Sequence, residues 1–415
     1  MLSEQFLRFF STFLVGIYIA RELGPEDFGV LSYGLAIITI AGAFSRLGLD
    51  AVLVRDFANR DTPYGTLLGS AMALGLASAI FCAGFVAFFV FSYESDNLIR
   101  YIVLILSLGL IFNGFSVIEF MFQGRGLARY SSTAKILALL VSAAIKLWVV
   151  ISGLDLVYLA AAYLFETVLV MLGLILALLY DSEISRLKVS SAVIANLAKQ
   201  SIPLIIVAGS SVLYMRIDQV MIKYMLGANE LGIYVAAIRL FEGWMILPMV
   251  VSVSLMSRLV PLMNRNNLEF IRQFSVLVSV LFWIGIVIFL MSFFYSEKII
   301  VLFFGEAFSS ASQILWLVML SAPLTAINSI AARYCVIKGL GNTLALRAVL
   351  ALLVNIVANI LFIPIFGIIG AAFSTLLSLF IGSYLPIFFD RNLKELKRII
   401  HNGILLRGMT VKSFN

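Results

Sequence analysis

Thr66–Phe91, TLLGSAMALGLASAIFCAGFVAFFVF, is a run of 26 residues without one charged side chain. As an α-helix it would be about 39 Å long, more than the roughly 30 Å of hydrocarbon in a bilayer. In water such a helix exposes apolar surface on every side. In lipid it needs only to satisfy its own backbone, which a helix does. Strands of a membrane barrel would alternate apolar and polar residues over about ten positions, and this stretch does not alternate. Outward from it the same signature recurs. The spans read as 3–20, 28–47, 66–91, 98–122, 131–152, 156–180, 201–225, 231–257, 273–294, 311–336, 343–363 and 367–389. The chain of 415 residues is 62% hydrophobic and 12% charged, about half the charged share of a soluble domain. Its mean hydropathy is +1.08. The expected fold is all-α and polytopic, with about twelve transmembrane helices.

The connections are short, the largest being 181–200, 295–310 and the tail from Asp390. Eighteen Lys and Arg fall in the even-numbered gaps and the tail, among them Arg55, Arg60, Arg125, Arg129, Lys135, Arg186, Lys338, Arg407 and Lys412. The odd-numbered gaps hold four: Arg21, Arg100, Lys223 and Lys298. This bias places both termini in the cytoplasm. It also accounts for the net charge of +7 without nucleic acid as a partner. The start, Met1 to Gln5, lacks a basic n-region, so the first span is expected to serve as its own insertion signal. Cys82 and Cys335 lie in apolar spans and offer neither a disulfide framework nor metal spacing. His401 is the only histidine. No metal and no cofactor is expected. No phosphate-cradling glycine loop is present, and no gap is long enough for a soluble catalytic domain. The reading is a protein that is not an enzyme.

The chain repeats itself. Leu23-Gly24-Pro25-Glu26-Asp27-Phe28-Gly29-Val30 resembles Leu226-Gly227-Ala228-Asn229-Glu230-Leu231-Gly232-Ile233. Further on, Gln123-Gly124-Arg125-Gly126 echoes Lys338-Gly339-Leu340-Gly341, and Ala161-Ala162-Tyr163 echoes Ala371-Ala372-Phe373. The offsets are 203, 215 and 210. Six spans per repeat is an even number, so both halves enter the membrane in the same sense. The expectation is two parallel-repeat six-helix lobes, residues 1–180 and 201–389, around a central cavity. A cytoplasmic linker, 181–200, joins them, and a basic tail, 390–415, follows.

Charges inside spans are costly, at least about 2.5–3.5 kcal/mol each at the bilayer centre. Seven cations fall within or at the edges of spans: Arg8, Arg46, Lys146, Arg216, Arg239, Arg333 and Arg347. Four acids join them: Glu119, Glu166, Asp218 and Glu242. Arg8 and Arg46 sit on the first two spans, and Arg216 and Arg239 on the seventh and eighth. If those helices meet, the cavity is electropositive and suits a phosphate or diphosphate, which arginine holds in pairs of hydrogen bonds. The four acids are candidates for ion or proton coupling, because a carboxylate in low dielectric has a raised pKa. Other roles stay open. Arg239 and Glu242, three apart, can neutralise each other. Arg46 and Arg347 can snorkel to headgroups. Glu119 and Arg333 can tie helices together. Pro203, Pro248 and Pro323 are expected to bend spans seven, eight and ten.

Three stretches have a familiar look: Ala20 to Gly29, then Leu47-Gly48-Leu49-Asp50 and Arg55, then Ser201-Ile202-Pro203-Leu204. Tyr214-Met215-Arg216-Ile217-Asp218-Gln219 and Leu231 to Ala237 follow in order and spacing. Together they resemble Wzx-type O-antigen flippases, in the polysaccharide transporter branch of the MOP superfamily. That superfamily also holds the lipid II flippase and the MATE drug exporters. The resemblance covers nearly the whole chain. It implies an undecaprenyl-diphosphate-linked oligosaccharide as substrate, carried from the cytoplasmic to the periplasmic leaflet of the bacterial inner membrane by alternating access. It implies work in O-antigen or lipopolysaccharide biosynthesis, beside a polysaccharide polymerase and a chain-length regulator, with membrane lipids around it. Carried over by span position, its cationic substrate-binding residues touch Arg8, Arg46, Arg216 and Arg239. Here the first span begins about ten residues earlier than in family members, which bears on the depth of Arg8. The rival readings are a lipid II-type flippase, a multidrug exporter of the same superfamily, and a membrane polysaccharide polymerase. A drug exporter would have a more acidic and apolar cavity, and a polymerase a long periplasmic loop.

Overall fold

A computed structural model describes residues 2–59, 61–180 and 187–406. Arg60, Arg186, Arg407 and Lys412, counted above for orientation, lie outside the described residues, as do 181–186 of the linker and the end of the tail. Among the described residues every regular element is helical. The chain divides into two compact units, Met1–Arg216 and Ile217–Asn415.

The first unit holds α1 (Leu2–Ser45), α2 (Leu49–Asn59), α3 (Tyr64–Tyr93), α4 (Asn97–Asn113), α5 (Val117–Gly124), α6 (Ala128–Ile151), α7 (Leu156–Leu179) and the first part of α8 (Ser191–Leu226). Within it α4 packs against α1, α3 and α7, while α6 packs against α1 and α7. Helix α2 occupies a stretch expected to be a connection. Its apolar residues Leu49, Val52, Leu53 and Phe57 recur at helical spacing. They are buried with Leu67 and Leu68 of α3 and Ile118, Met121 and Phe122 of α5. Each such side chain contributes about 1.5–3 kcal/mol relative to exposure in water.

The second unit holds the rest of α8, then α9 (Ala228–Arg265), α10 (Asn267–Phe304), α11 (Ala311–Met319), α12 (Ala322–Ile337) and α13 (Gly341–Leu379). A π-helical turn (Phe380–Tyr384), α14 (Pro386–Phe389) and α15 (Lys394–Ile404) complete it. Here α10 is central, packed on α9, α11, α12 and α15.

Among the described residues nine helical segments are long and apolar enough to cross a membrane, and ten if α11 and α12, bent by 46°, count as one. Two of the ten each contain two of the expected spans. In α1 the break is at Gly24, with φ 76° and ψ 175°; in α13 it is at Gly367, with φ 60° and ψ −142°. Divided at those glycines, ten segments become twelve.

Two sequence expectations need correction. The loop 295–310 is mostly helix: α10 runs on to Phe304, and Gly305, at φ 90°, stops it. Span ten, by contrast, is bent as expected, by 46° where α11 gives way to α12, and Pro323 in the first turn of α12 has no N–H with which to carry the α11 ladder onward. The register of the second repeat match also shifts. Leu127 N bonds Phe122 O at 2.7 Å and Leu340 N bonds Cys335 O at 2.8 Å, closing the same helix-ending turn. Gly126 (φ 73°) and Gly339 (φ 69°) occupy the left-handed position of each. Gly126 thus corresponds to Gly339, an offset of 213, and Gly124 does not. The first match keeps its register: Gly24 (76°, 175°) and Gly227 (103°, 177°) share one backbone conformation, open only to glycine.

Candidate functional site

The first unit encloses a cavity of about 300 Å³. α1 contributes Arg8 to its wall, the turn after α1 Arg46, α2 Asp50, α5 Glu119, α6 Lys135 and α7 Glu166. Arg8, Arg46 and Asp50 are exposed; Glu119, Lys135 and Glu166 are half-buried. Arg46 reaches the wall from the turn just after α1, and its Nε donates to Gly42 O at 3.3 Å. The break at Gly24 lets Arg8 and Arg46, more than thirty residues apart in sequence, share one wall.

The two glutamates are held by cations from a neighbouring helix. Lys135 Nζ donates to Glu119 Oε1 at 2.5 Å, and Gln123 Nε2 donates to the same oxygen at 2.8 Å. Lys146 Nζ donates to Glu166 Oε2 at 2.5 Å, and Ser142 Oγ does so at 2.9 Å. Lys146 is 6% exposed and its ammonium stands 3.7 Å from the Tyr163 ring centroid. Charge pairing and the ring's negative face together offset the cost of holding an ammonium away from water. The wall therefore carries three cations and three carboxylates, with Lys146 behind it.

In the second unit Asp218 of α8 is buried, 5% exposed. The Tyr234 hydroxyl of α9 donates to Asp218 Oδ2, and Gln219 N donates to Oδ1 at 2.8 Å. Tyr234 Oη lies 3.4 Å from Thr375 Oγ1 on α13. From there the polar chain continues. Ser378 Oγ donates to Thr375 O at 2.9 Å, Asn355 Nδ2 to Ser378 Oγ at 3.4 Å, and Asn359 Nδ2 to Asn355 Oδ1 at 3.1 Å. Asn355 and Asn359 are 1% and 0% exposed. Thr375, Ser378, Asn355 and Asn359 were not candidates on sequence. The signal that could have found them is Asn at i and i+4 within an apolar span, where neutral amides need partners as carboxylates do.

Arg216 is half-buried on α8, at the end of the first unit. Arg239 and Glu242 are half-buried one turn apart on α9. Of the eight sequence candidates, Arg8, Arg46, Glu119 and Glu166 come together in one cavity, and Asp218 lies in a separate network. Arg347 does not snorkel. It is 3% exposed, and its Nη2 donates to Ser383 O of the π-helical turn at 2.6 Å and to Asn328 Oδ1 at 3.0 Å.

Long apolar helices in this number define a multi-pass membrane protein. Within that class, the family described as polysaccharide biosynthesis protein matches residues 2–267, and the chain belongs to it. Among solved structures, the lipid II flippase MurJ in an inward closed conformation matches with a TM-score of 0.76 at 16% identity. That match covers 100% of this chain and 94% of MurJ. A multidrug resistance MATE family transporter of the MOP superfamily, facing inward, matches with a TM-score of 0.72 at 14% identity, covering 94% of each chain. A MOP superfamily transporter from Pyrococcus furiosus matches with a TM-score of 0.63 at 14% identity, covering 96% of this chain and 92% of that one. The fold is that of MOP superfamily transporters. No curated protein sequence matches the chain.

Proposed function

We propose that this protein is a flippase for undecaprenyl-diphosphate-linked polysaccharide repeat units, such as O-antigen units, in the bacterial inner membrane. The observation that carries the proposal is the joint presence of Arg8 and Arg46 on one cavity wall. A diphosphate is the anionic end common to such substrates, and paired arginines suit its oxygens. Family membership supports work in polysaccharide biosynthesis, and the MurJ-like fold supports a lipid-linked cargo. Arg216 and Arg239 are proposed as further cationic substrate-binding residues. Both termini face the cytoplasm, following the basic bias. The route is alternating exposure of the site to the two leaflets.

Asp218 is proposed as the ion- or proton-coupling residue. A buried carboxylate joined to hydroxyl and amide oxygens on neighbouring helices offers the hard oxygen donors that a small cation or a proton takes. Glu119 and Glu166, each bound to a lysine, are assigned to shaping the cavity. Glu242 has no proposed role beyond neighbouring Arg239.

The test is movement in liposomes. Purified protein should carry a fluorescent undecaprenyl-diphosphate-linked oligosaccharide from one leaflet to the other. No movement of that lipid would remove the proposal. A MATE-like fold favours one second reading, a drug exporter. Transport of lipophilic cations but not of the diphospholipid would establish it instead.

A further inference from the structure

The last apolar segment ends in two exposed aromatics, Phe388 and Phe389. A turn later α15 begins, an amphipathic helix of eleven residues. Such helices commonly lay their apolar face in the lipid interface. This one does not have that face free. Leu396, Ile399 and Ile400 are buried against the second unit. Both ends are clamped: Lys338, which caps α12, pairs with Glu395 at 3.0 Å, and Ser279 Oγ of α10 donates to Gly403 O at 2.6 Å. Gly403 lies so close to α10 that a Cβ there would stand 2.6 Å from Val278.

What remains for a ligand is the basic face. Beside it lies a groove of about 390 Å³, within the range of small-ligand pockets. Lys394, Lys397, Arg398 and His401 line one side, and Tyr384 and Phe388 the other. Lys397 Nζ is 4.9 Å from the Phe388 ring centroid. Tyr384 and Phe388 stack edge to face at 5.1 Å. Among the described residues lining the groove none is acidic, and Glu395 is turned to Lys338 at the end of α12. Three permanent cations thus converge beside an aromatic shelf at the end of an apolar span.

We propose that this groove holds the headgroup of one anionic phospholipid. Its phosphate lies among Lys394, Lys397 and Arg398, and its glycerol end lies against Phe388 and Tyr384. The cations alone would suit any phosphate. The aromatic shelf, continuous with the span, selects an anion that carries a lipid. Clamping the helix holds the three cations in place before the lipid arrives, so little order is lost on binding.

The test uses full-length protein in detergent, titrated with phosphatidylglycerol or phosphatidylcholine and read by native mass spectrometry. Phosphatidylglycerol should bind one to one, and phosphatidylcholine at least about tenfold more weakly. Each surface cation is worth about a fivefold change in anionic lipid affinity. Lys397→Gln should therefore weaken binding about fivefold, and Lys394→Gln/Lys397→Gln/Arg398→Gln about a hundredfold. Glutamine keeps helix propensity, and the buried face is untouched. Should the triple variant be unstable, Lys397→Gln decides alone. Unchanged phosphatidylglycerol affinity in the variant, or equal affinity for both lipids, overturns the proposal. Displacement of phosphatidylglycerol by millimolar inorganic phosphate would reassign the groove to a free anion and overturn it too. Oligosaccharide transport that survives loss of the lipid leaves the flippase reading intact.

Discussion

Lys146→Met removes a cation from a half-closed pair while keeping the length of the side chain. In the parent, the Lys146 and Glu166 side chains are 7% and 17% exposed and 2.5 Å apart. Breaking such a pair from one side typically costs about 3–5 kcal/mol, because the other charge is left behind. Glu166 keeps the Ser142 hydroxyl at 2.9 Å and lines the cavity, so part of its hydration can be recovered. The expected cost is therefore at the low end, about 3 kcal/mol. Lys146→Met/Glu166→Gln removes both charges at nearly constant volume and should cost about 1 kcal/mol, since replacing a whole buried pair is often close to neutral. The assay is unfolding of the purified protein in mixed micelles of increasing dodecyl sulfate, followed by tryptophan fluorescence, for the parent and the three variants of the cycle. A single-variant loss under about 1 kcal/mol would refute the reasoning, as would a double variant whose cost equals the sum of the singles.

Arg8→Ala and Arg46→Ala should each slow transport of the diphospholipid-linked oligosaccharide about tenfold or more, the loss of one charge-assisted contact, with reconstitution unchanged; full rates would remove both residues from the site. Asp218→Asn keeps an acceptor for the Tyr234 hydroxyl but not the charge. Transport by that variant should lose its response to an imposed cation gradient, and an undiminished response would return coupling to another residue. Gly24→Ala places a side chain at φ 76°, ψ 175° and should destabilise the protein by about 1–3 kcal/mol. Gly84→Ala, at a helical glycine with nothing within 4 Å of a new Cβ, is the neutral control in the same unfolding assay.

Much of this protein is visible in one dimension. The uncharged run Thr66–Phe91 could be nothing but a membrane helix, and it lies wholly within α3. Gly24 and Gly227, matched by their neighbours in sequence, have the same unusual backbone, because only glycine is at ease there. Errors fell where sequence is silent about partners. Residues 295–304 looked like a loop because Glu297 and Lys298 interrupt the apolar run, yet two charges do not break a helix, and α10 runs through them until Gly305. Helix α2 was missed because eleven residues are too few to span, although its apolar spacing was there to read.

The sequence by itself determined the solvent, the all-helical architecture, the repeat and the fact that a small set of charges must find shelter. Only the tertiary structure decided which charge meets which. Glu119 pairs with Lys135, sixteen residues on, and Glu166 with Lys146, twenty residues back. Asp218 meets Tyr234 and Arg347 meets Ser383. Each pairing depends on how its helices are rotated about their own axes. In a water-soluble helix the apolar stripe fixes that rotation. In these spans the face toward lipid is as apolar as the face toward a neighbouring helix, so the pattern carries no stripe to read, and rotation emerges only when the helices pack.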